Sequence, residues 1–235
     1  MDKNHNLETF ILISRKKFTI AVISNTEVNK KVYEKELLFN QDSLEVDYDK
    51  LNNFLNENIF TIEKSLDKFI KKILLILDYD VFFPVEISLK KNNFENLVDF
   101  KNLNYLLNEA KEDCKKTIED RKIIHMLITN YRADDKNFSY FPEKTRCKNF
   151  SLDIKFICLS NNLVKNLEQI LKKYQISIDK ILSADYMQSI PNENNLDLFA
   201  LAHKVIHGMN NNEVHLVNKS IKNKGFFEKF FQFFS

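Results

Sequence analysis

Strand-like and helix-like segments alternate along this chain of 235 residues, which predicts an α/β (α+β) fold. Three observations carry that expectation. The apolar runs Thr9–Ser14 and Phe18–Ile23 flank a basic turn, Arg15-Lys16-Lys17, as two adjacent strands would. Leu103–Glu119 and Asn162–Tyr174 space their apolar residues three and four apart, as amphipathic helices do. Hydrophobic residues make up 44% of the chain and charged residues 29%, enough apolar material to bury a real core.

The elements follow in order. After the first two strands, Lys31–Asn40 reads as a third. Leu51–Leu77 carries helical spacing throughout, at Leu51, Phe54, Leu55, Ile59, Ile62, Leu66, Phe69, Ile70, Ile73 and Leu74, with a break expected near Asn58. The run Ile73–Leu77 also suits a buried strand. Asp80–Leu89 and Lys122–Ile128 are expected strands, and a polar hairpin region surrounds Pro142. Phe150, Leu152, Ile154 and Phe156 alternate as in a half-buried strand. Ile178–Ser183 is a short strand, and Leu196–His207 a helix ending at Gly208. Met209–Lys224 is polar and aperiodic, as a linker is.

The last eleven residues differ from all of this. Six of the 21 phenylalanines lie in the final ten positions. At 100° per residue Phe226, Phe227, Phe230, Phe231, Phe233 and Phe234 share an arc of roughly 160°, with Glu228, Lys229, Gln232 and Ser235 opposite. The stretch is too short to span a bilayer, which takes ~20 apolar residues, and too short for a stable helix alone in water. An amphipathic helix that forms on a lipid surface satisfies both limits. Lys219, Lys222, Lys224 and Lys229 face only one acid, Glu228, over this region, which favours an anionic leaflet. The expected membrane-binding residues are therefore the six phenylalanines with Lys222, Lys224 and Lys229.

Composition excludes several classes. The only glycines are Gly208 and Gly225, so no glycine-rich phosphate loop is present. A net charge of +2 gives no ground for a nucleic-acid partner. Cys114, Cys147 and Cys158 form no CxxC pair and are read as reduced cytosolic thiols. The N-terminus is polar and is not read as a signal peptide. His125 lies in an apolar run and reads as a packed or surface histidine. His203 and His207 have the i, i+4 spacing of metal ligands, but no third ligand is near in sequence. Asp134 and Asp135 read as an Asx-rich turn. Ser14, Ser88 and Ser183 lack a nucleophile-elbow context. No constellation points to an enzyme, a resident metal or a cofactor.

The segment Arg121–Asp135 resembles a stretch of the bacterial cell-division protein FtsA, with Arg121, Ile123, His125, Leu127, Tyr131 and Asp134 at matching places. Pro142 with Leu152–Ile157, and Asn166–Asp179, resemble the segments that follow in that family. The resemblance covers residues 85–190 well and 7–80 loosely. It implies a partial actin-like subdomain 1A with an inserted SHS2-like 1C subdomain, followed by a linker and a C-terminal amphipathic helix. The expected division is 1–80 (partial 1A), 81–183 (1C-like), 184–208 (return to 1A), 209–224 (linker) and 225–235 (membrane helix).

The chain departs from that family at Asp135, Lys144, Cys147 and Gln175, where family members carry glycine. If Lys17 matches the lysine of the family's phosphate loop, Leu12 and Ser14 stand where its Asp and Gly belong, and leucine cannot organise a Mg²⁺ shell. The second actin lobe is expected to be missing. The resemblance thus implies an adaptor without ATP binding. It would tether the FtsZ ring or other divisome proteins to anionic lipids at the inner face of the cytoplasmic membrane, as a peripheral protein that self-associates through the 1C-like region. The alternative is an actin-like adaptor of a pilus or secretion assembly platform.

Overall fold

The computed structural model describes residues 7–24, 30–39, 45–191 and 195–214. The Phe-rich tail, with Lys222, Lys224 and Lys229, lies outside the described residues. The chain divides into two compact units. One comprises Met1–Val85, Asp113–Ile124 and Ile157–Asn211, the other Glu86–Glu112, His125–Phe156 and Asn212–Ser235.

The first unit is built on a five-stranded sheet. β1 (Leu7–Ser14) pairs antiparallel with β2 (Lys17–Ser24), and β2 with β3 (Lys31–Leu38). On the other side of β1, β4 (Lys72–Asp78) runs parallel to it and β9 (Ser177–Ser183) parallel to β4, giving the order β3-β2-β1-β4-β9. The class is α/β, as the alternation of elements predicts. Helices α1 (Tyr48–Leu66) and α3 (Asn161–Lys172) contribute Leu55, Ile62, Leu167 and Leu171 to a core that also holds Ile11, Ile13, Ile73, Leu75 and Leu77. The opposite face of the same strands, Phe10, Leu12, Leu74 and Ile76, is also buried. There α4 (Ala184–Ser189) and α5 (Leu198–Ile206) supply the cover, with Phe199 meeting Phe10 edge-on at 6.0 Å. Burial on both faces explains why these strands read as unbroken apolar runs instead of alternating.

The helical spacing of Leu51–Leu77 does not persist as one helix. α1 ends at Leu66, where Asp67 takes a left-handed conformation (φ 49°). Residues 72–78 become a central strand. Nor does the helix break at Asn58. That buried amide donates to the Phe54 carbonyl at 2.7 Å and accepts from the Tyr33 hydroxyl at 2.7 Å, so it is satisfied inside the helix.

The second unit carries most of a four-stranded sheet of order β5-β8-β6-β7, made by β5 (Phe82–Asn92), β8 (Asn149–Ser160), β6 (Arg121–Ala133) and β7 (Lys136–Phe138). In β8 the side chains of Phe150, Leu152, Ile154 and Phe156 are buried while Ser151, Asp153 and Lys155 are half-exposed, the alternation expected for a sheet wetted on one side. Phe141 contacts Phe100, Tyr131 and Phe150 at ring separations of 4.8, 6.0 and 6.2 Å. The N-terminal part of α2 (Phe100–Thr117) adds Leu103, Leu106 and Ala110 to the buried set.

Candidate functional site

The turn between β1 and β2 sits where the resemblance places a phosphate loop, and it is closed by its own residues. The Ser14 hydroxyl accepts from the backbone N–H of Lys17 at 3.1 Å and of Lys16 at 3.3 Å, and donates to the Lys17 carbonyl at 3.1 Å. A phosphate loop instead needs its amides turned outward and free. Lys17 Nζ is engaged by Glu36 at 2.9 Å. Asp78 lies beside Ser14 in the β1–β4 register. Burial pushes the Asp78 carboxyl above the usual range, the Asp185 charge adds to this, and Lys17 partly offsets it. No carboxylate occupies the Leu12 position, whose side chain is buried.

The histidine pair of α5 is different. Asp197 caps the helix, accepting from the Ala200 N–H at 2.9 Å. At the other end the Gly208 N–H meets the Val205 carbonyl at 3.1 Å and the Met209 N–H meets the Lys204 carbonyl at 3.0 Å, with Gly208 at φ 87°. This double closure, which needs a left-handed residue, ends the helix just at His207. His203 and His207 then share one face, with ring centroids 4.4 Å apart. Glu8 of β1 stands against both. Its Oε2 is 2.8 Å from His203 Nδ1 and its Oε1 is 3.1 Å from His207 Nε2. A third potential ligand is therefore present, contrary to what local sequence suggests, and the fold brings it from the far end of the chain.

The remaining sequence candidates have structural roles. His125 is buried, and its Nδ1 lies 2.8 Å from Glu213. Asp134 occupies the β6–β7 turn at φ 51°, and its carboxylate accepts from the backbone N–H groups of Lys148 and Asn149 at 3.0 and 2.8 Å. Ser88 donates to Asp153 at 2.7 Å with no histidine in the arrangement. Ser183 is buried and caps α4. The three cysteines are buried free thiols. Burial, with Cys114 beside it, pushes the Cys158 thiol up to about 12.

Sequence reasoning gave no weight to a polar groove on the exposed side of the β5–β8–β6 region, a cavity of about 500 Å³ within the second unit. Asp153 is one of the residues that line it. Asn130 donates to Asp153 at 3.0 Å, and Arg132 lies 3.8 Å away. Hydrogen bonds from Asn130 and Ser88, with the Arg132 charge, hold its carboxyl below the ordinary range. The signal was present in the polar positions of β8, but not which neighbours they would meet. β5 is an outer strand of this sheet, eleven residues long, and none of them is buried.

No protein-family profile matches the chain, and no curated protein does. Among solved structures, the cytoplasmic domain of EpsL, an inner membrane component of the type II secretion system of Vibrio cholerae, is 11% identical with a TM-score of 0.38, over 80% of this chain and 59% of that one. The PilM-PilN type IV pilus biogenesis complex gives 8% identity and a TM-score of 0.45, over 77% and 48%. A Bacteroides thetaiotaomicron protein with an actin-like ATPase fold and unknown function gives 14% and 0.35, over 80% and 56%. This chain thus spans less than two thirds of each. Among the described residues no helix is long and apolar enough to cross a membrane.

Proposed function

We propose that the protein is an adaptor of a membrane-associated assembly, working without nucleotide, with protein contacts made by the sheet unit and lipid contact by the Phe-rich tail. The observation that carries this reading is β5, an eleven-residue outer strand with no buried residue, bordered by a polar groove. An outer strand of that length offers a row of backbone donors and acceptors to a partner strand or a second copy. The closed Ser14–Lys17 turn supports independence from ATP. The assembly we favour is a pilus or secretion platform.

The second reading is a division adaptor that tethers the FtsZ ring. It rests on the Arg121–Asp135 motif, whose residues form β6 and the turn at Asp134. In either case a weak lipid tail would act strongly once several copies assemble, through effective concentration.

Affinity capture from the native cell tests the partner surface. The pair Glu86→Lys/Lys90→Glu changes exposed positions of β5 without touching the core. The reading expects this variant to lose the captured partner while still binding vesicles. Retention of the partner by both this variant and a tail variant would oppose it, and the partner's identity separates the two assemblies.

A further inference from the structure

Glu8, His203 and His207 are the only group of this kind among the described residues. One ligand atom from each comes within 4.8 Å of the other two. We infer that they form a binding site for a divalent transition metal of the zinc class, with two imidazole nitrogens and one carboxylate as ligands. This inference does not depend on the adaptor function.

The donor set argues for the metal. Four-coordinate zinc holds His nitrogen and carboxylate oxygen at about 2.0–2.1 Å, so its ligand atoms stand roughly 3.3 Å apart. Here the carboxylate oxygens lie 2.8 and 3.1 Å from the two ring nitrogens. Each nitrogen faces a different oxygen of the Glu8 carboxylate, and one ligand atom from each residue lies within 4.8 Å of the other two, so an ion would draw the three together toward tetrahedral spacing. Imidazole ligands favour zinc, nickel, cobalt or copper over calcium and magnesium, which take oxygen ligands.

The surroundings suit an open fourth position. Glu8 and His207 line a cavity of about 310 Å³ in the same unit, room for a water on the metal. Asp179, on the same wall, is paired with Lys72 at 2.9 Å and so is engaged elsewhere. The ligand side chains are poised between burial and access, with Glu8 16%, His203 24% and His207 55% exposed.

The placement also gives the metal a consequence. Glu8 is the second residue of β1, and the two histidines sit 195 and 199 residues later, His203 on α5 and His207 at its C-terminal cap. A bound ion would fasten the last helix of the unit to the first strand of its sheet. Because the ion binds the folded site and not the open chain, occupancy stabilises the fold.

The test uses the full chain stripped with a chelator. Zn²⁺ is titrated by calorimetry, and Co²⁺ by its visible absorption bands, with Mg²⁺ and Ca²⁺ as controls. The expected result is one equivalent bound, a thermal midpoint raised by Zn²⁺ and lowered again by chelator, and no response to Mg²⁺ or Ca²⁺. His207→Gln changes the most exposed ligand, so its metal-free midpoint should match wild type while its Zn²⁺ affinity falls by at least about tenfold. Glu8→Gln should lower Zn²⁺ affinity as well, and its metal-free midpoint is measured separately because Glu8 also contacts both histidines. Absence of zinc binding by the wild-type chain, or equal affinity in His207→Gln, overturns the assignment. Equal affinity would place any bound ion elsewhere, at His5 or His215 for example.

Discussion

The Ser14 hydroxyl and the Lys17 backbone bond each other in both directions, each at 3.1 Å, the hydroxyl accepting from the Lys17 amide and donating to its carbonyl. One side chain thereby takes up the Lys16 and Lys17 amides of the turn at the end of β1, which a phosphate cradle would need turned outward. A phosphate arriving there would also meet Asp78 and Asp185, which already oppose each other's charge.

Ser14→Ala removes this pairing. It should cost about 1 kcal/mol in chemical denaturation, the ordinary worth of such hydrogen bonds. ATP with Mg²⁺ should leave the melting midpoint of both wild type and variant unchanged. A clear upward shift of the wild-type protein with ATP would show that the turn opens to take nucleotide.

Lys144 and Gln175 sit at φ 62° and 60°, in the left-handed region that costs a side-chain-bearing residue about 1–2 kcal/mol. Both are positions where the resembling family carries glycine. Lys144→Gly and Gln175→Gly should each stabilise the protein by up to about 1 kcal/mol, since relief of strain exceeds the added chain entropy. Alanine at either place should give no such gain. Denaturant midpoints of the four variants decide the matter, and a loss of stability with glycine would mean the side chains hold contacts that outweigh the strain.

Asp78 has a carboxyl held above its ordinary value by burial and by Asp185. A raised folded pKa means the folded state disfavours the charged form, so the penalty is present above the folded pKa and fades as pH falls toward the unfolded value of ~3.9. Asp78→Asn should therefore melt higher than wild type at pH 7, and the difference should vanish near pH 3–4. Thermal melts across that range measure it. A variant less stable at pH 7 would show that Asp78 contributes an attractive pairing, with Lys17, that outweighs its burial.

Much of the fold was legible in the chain. Phe10–Ile13 and Phe18–Ile23 announced adjacent strands, and the alternation at Phe150–Phe156 announced a half-buried one, as their burial bears out. The segment 51–77 misled because its apolar spacing runs on past Leu66. The helix stops instead at Asp67, a left-handed residue that is not glycine. Lys144, in the polar region expected around Pro142, and Gln175 likewise take left-handed φ without being glycine. α4 was missed because six residues show too little periodicity, although Ser183, whose hydroxyl accepts from the Tyr186 N–H at 3.3 Å, caps it as a sequence rule would allow. The His203–His207 pair was visible, but its partner Glu8 was not. Nothing local in a polar N-terminal stretch marks a residue that pairing of β1 with β2 and β4 brings against α5.

Vesicle co-sedimentation measures lipid binding through the tail, with and without nucleotide. Wild-type protein should sediment with vesicles containing anionic lipid, equally with and without ATP and Mg²⁺. Phe230→Asp/Phe231→Asp should bind at least about tenfold more weakly, because a buried phenylalanine contributes roughly 1.5–3 kcal/mol and two are lost. Equal sedimentation of the double variant would remove the tail as the lipid contact, and binding that requires ATP would make the adaptor nucleotide-dependent.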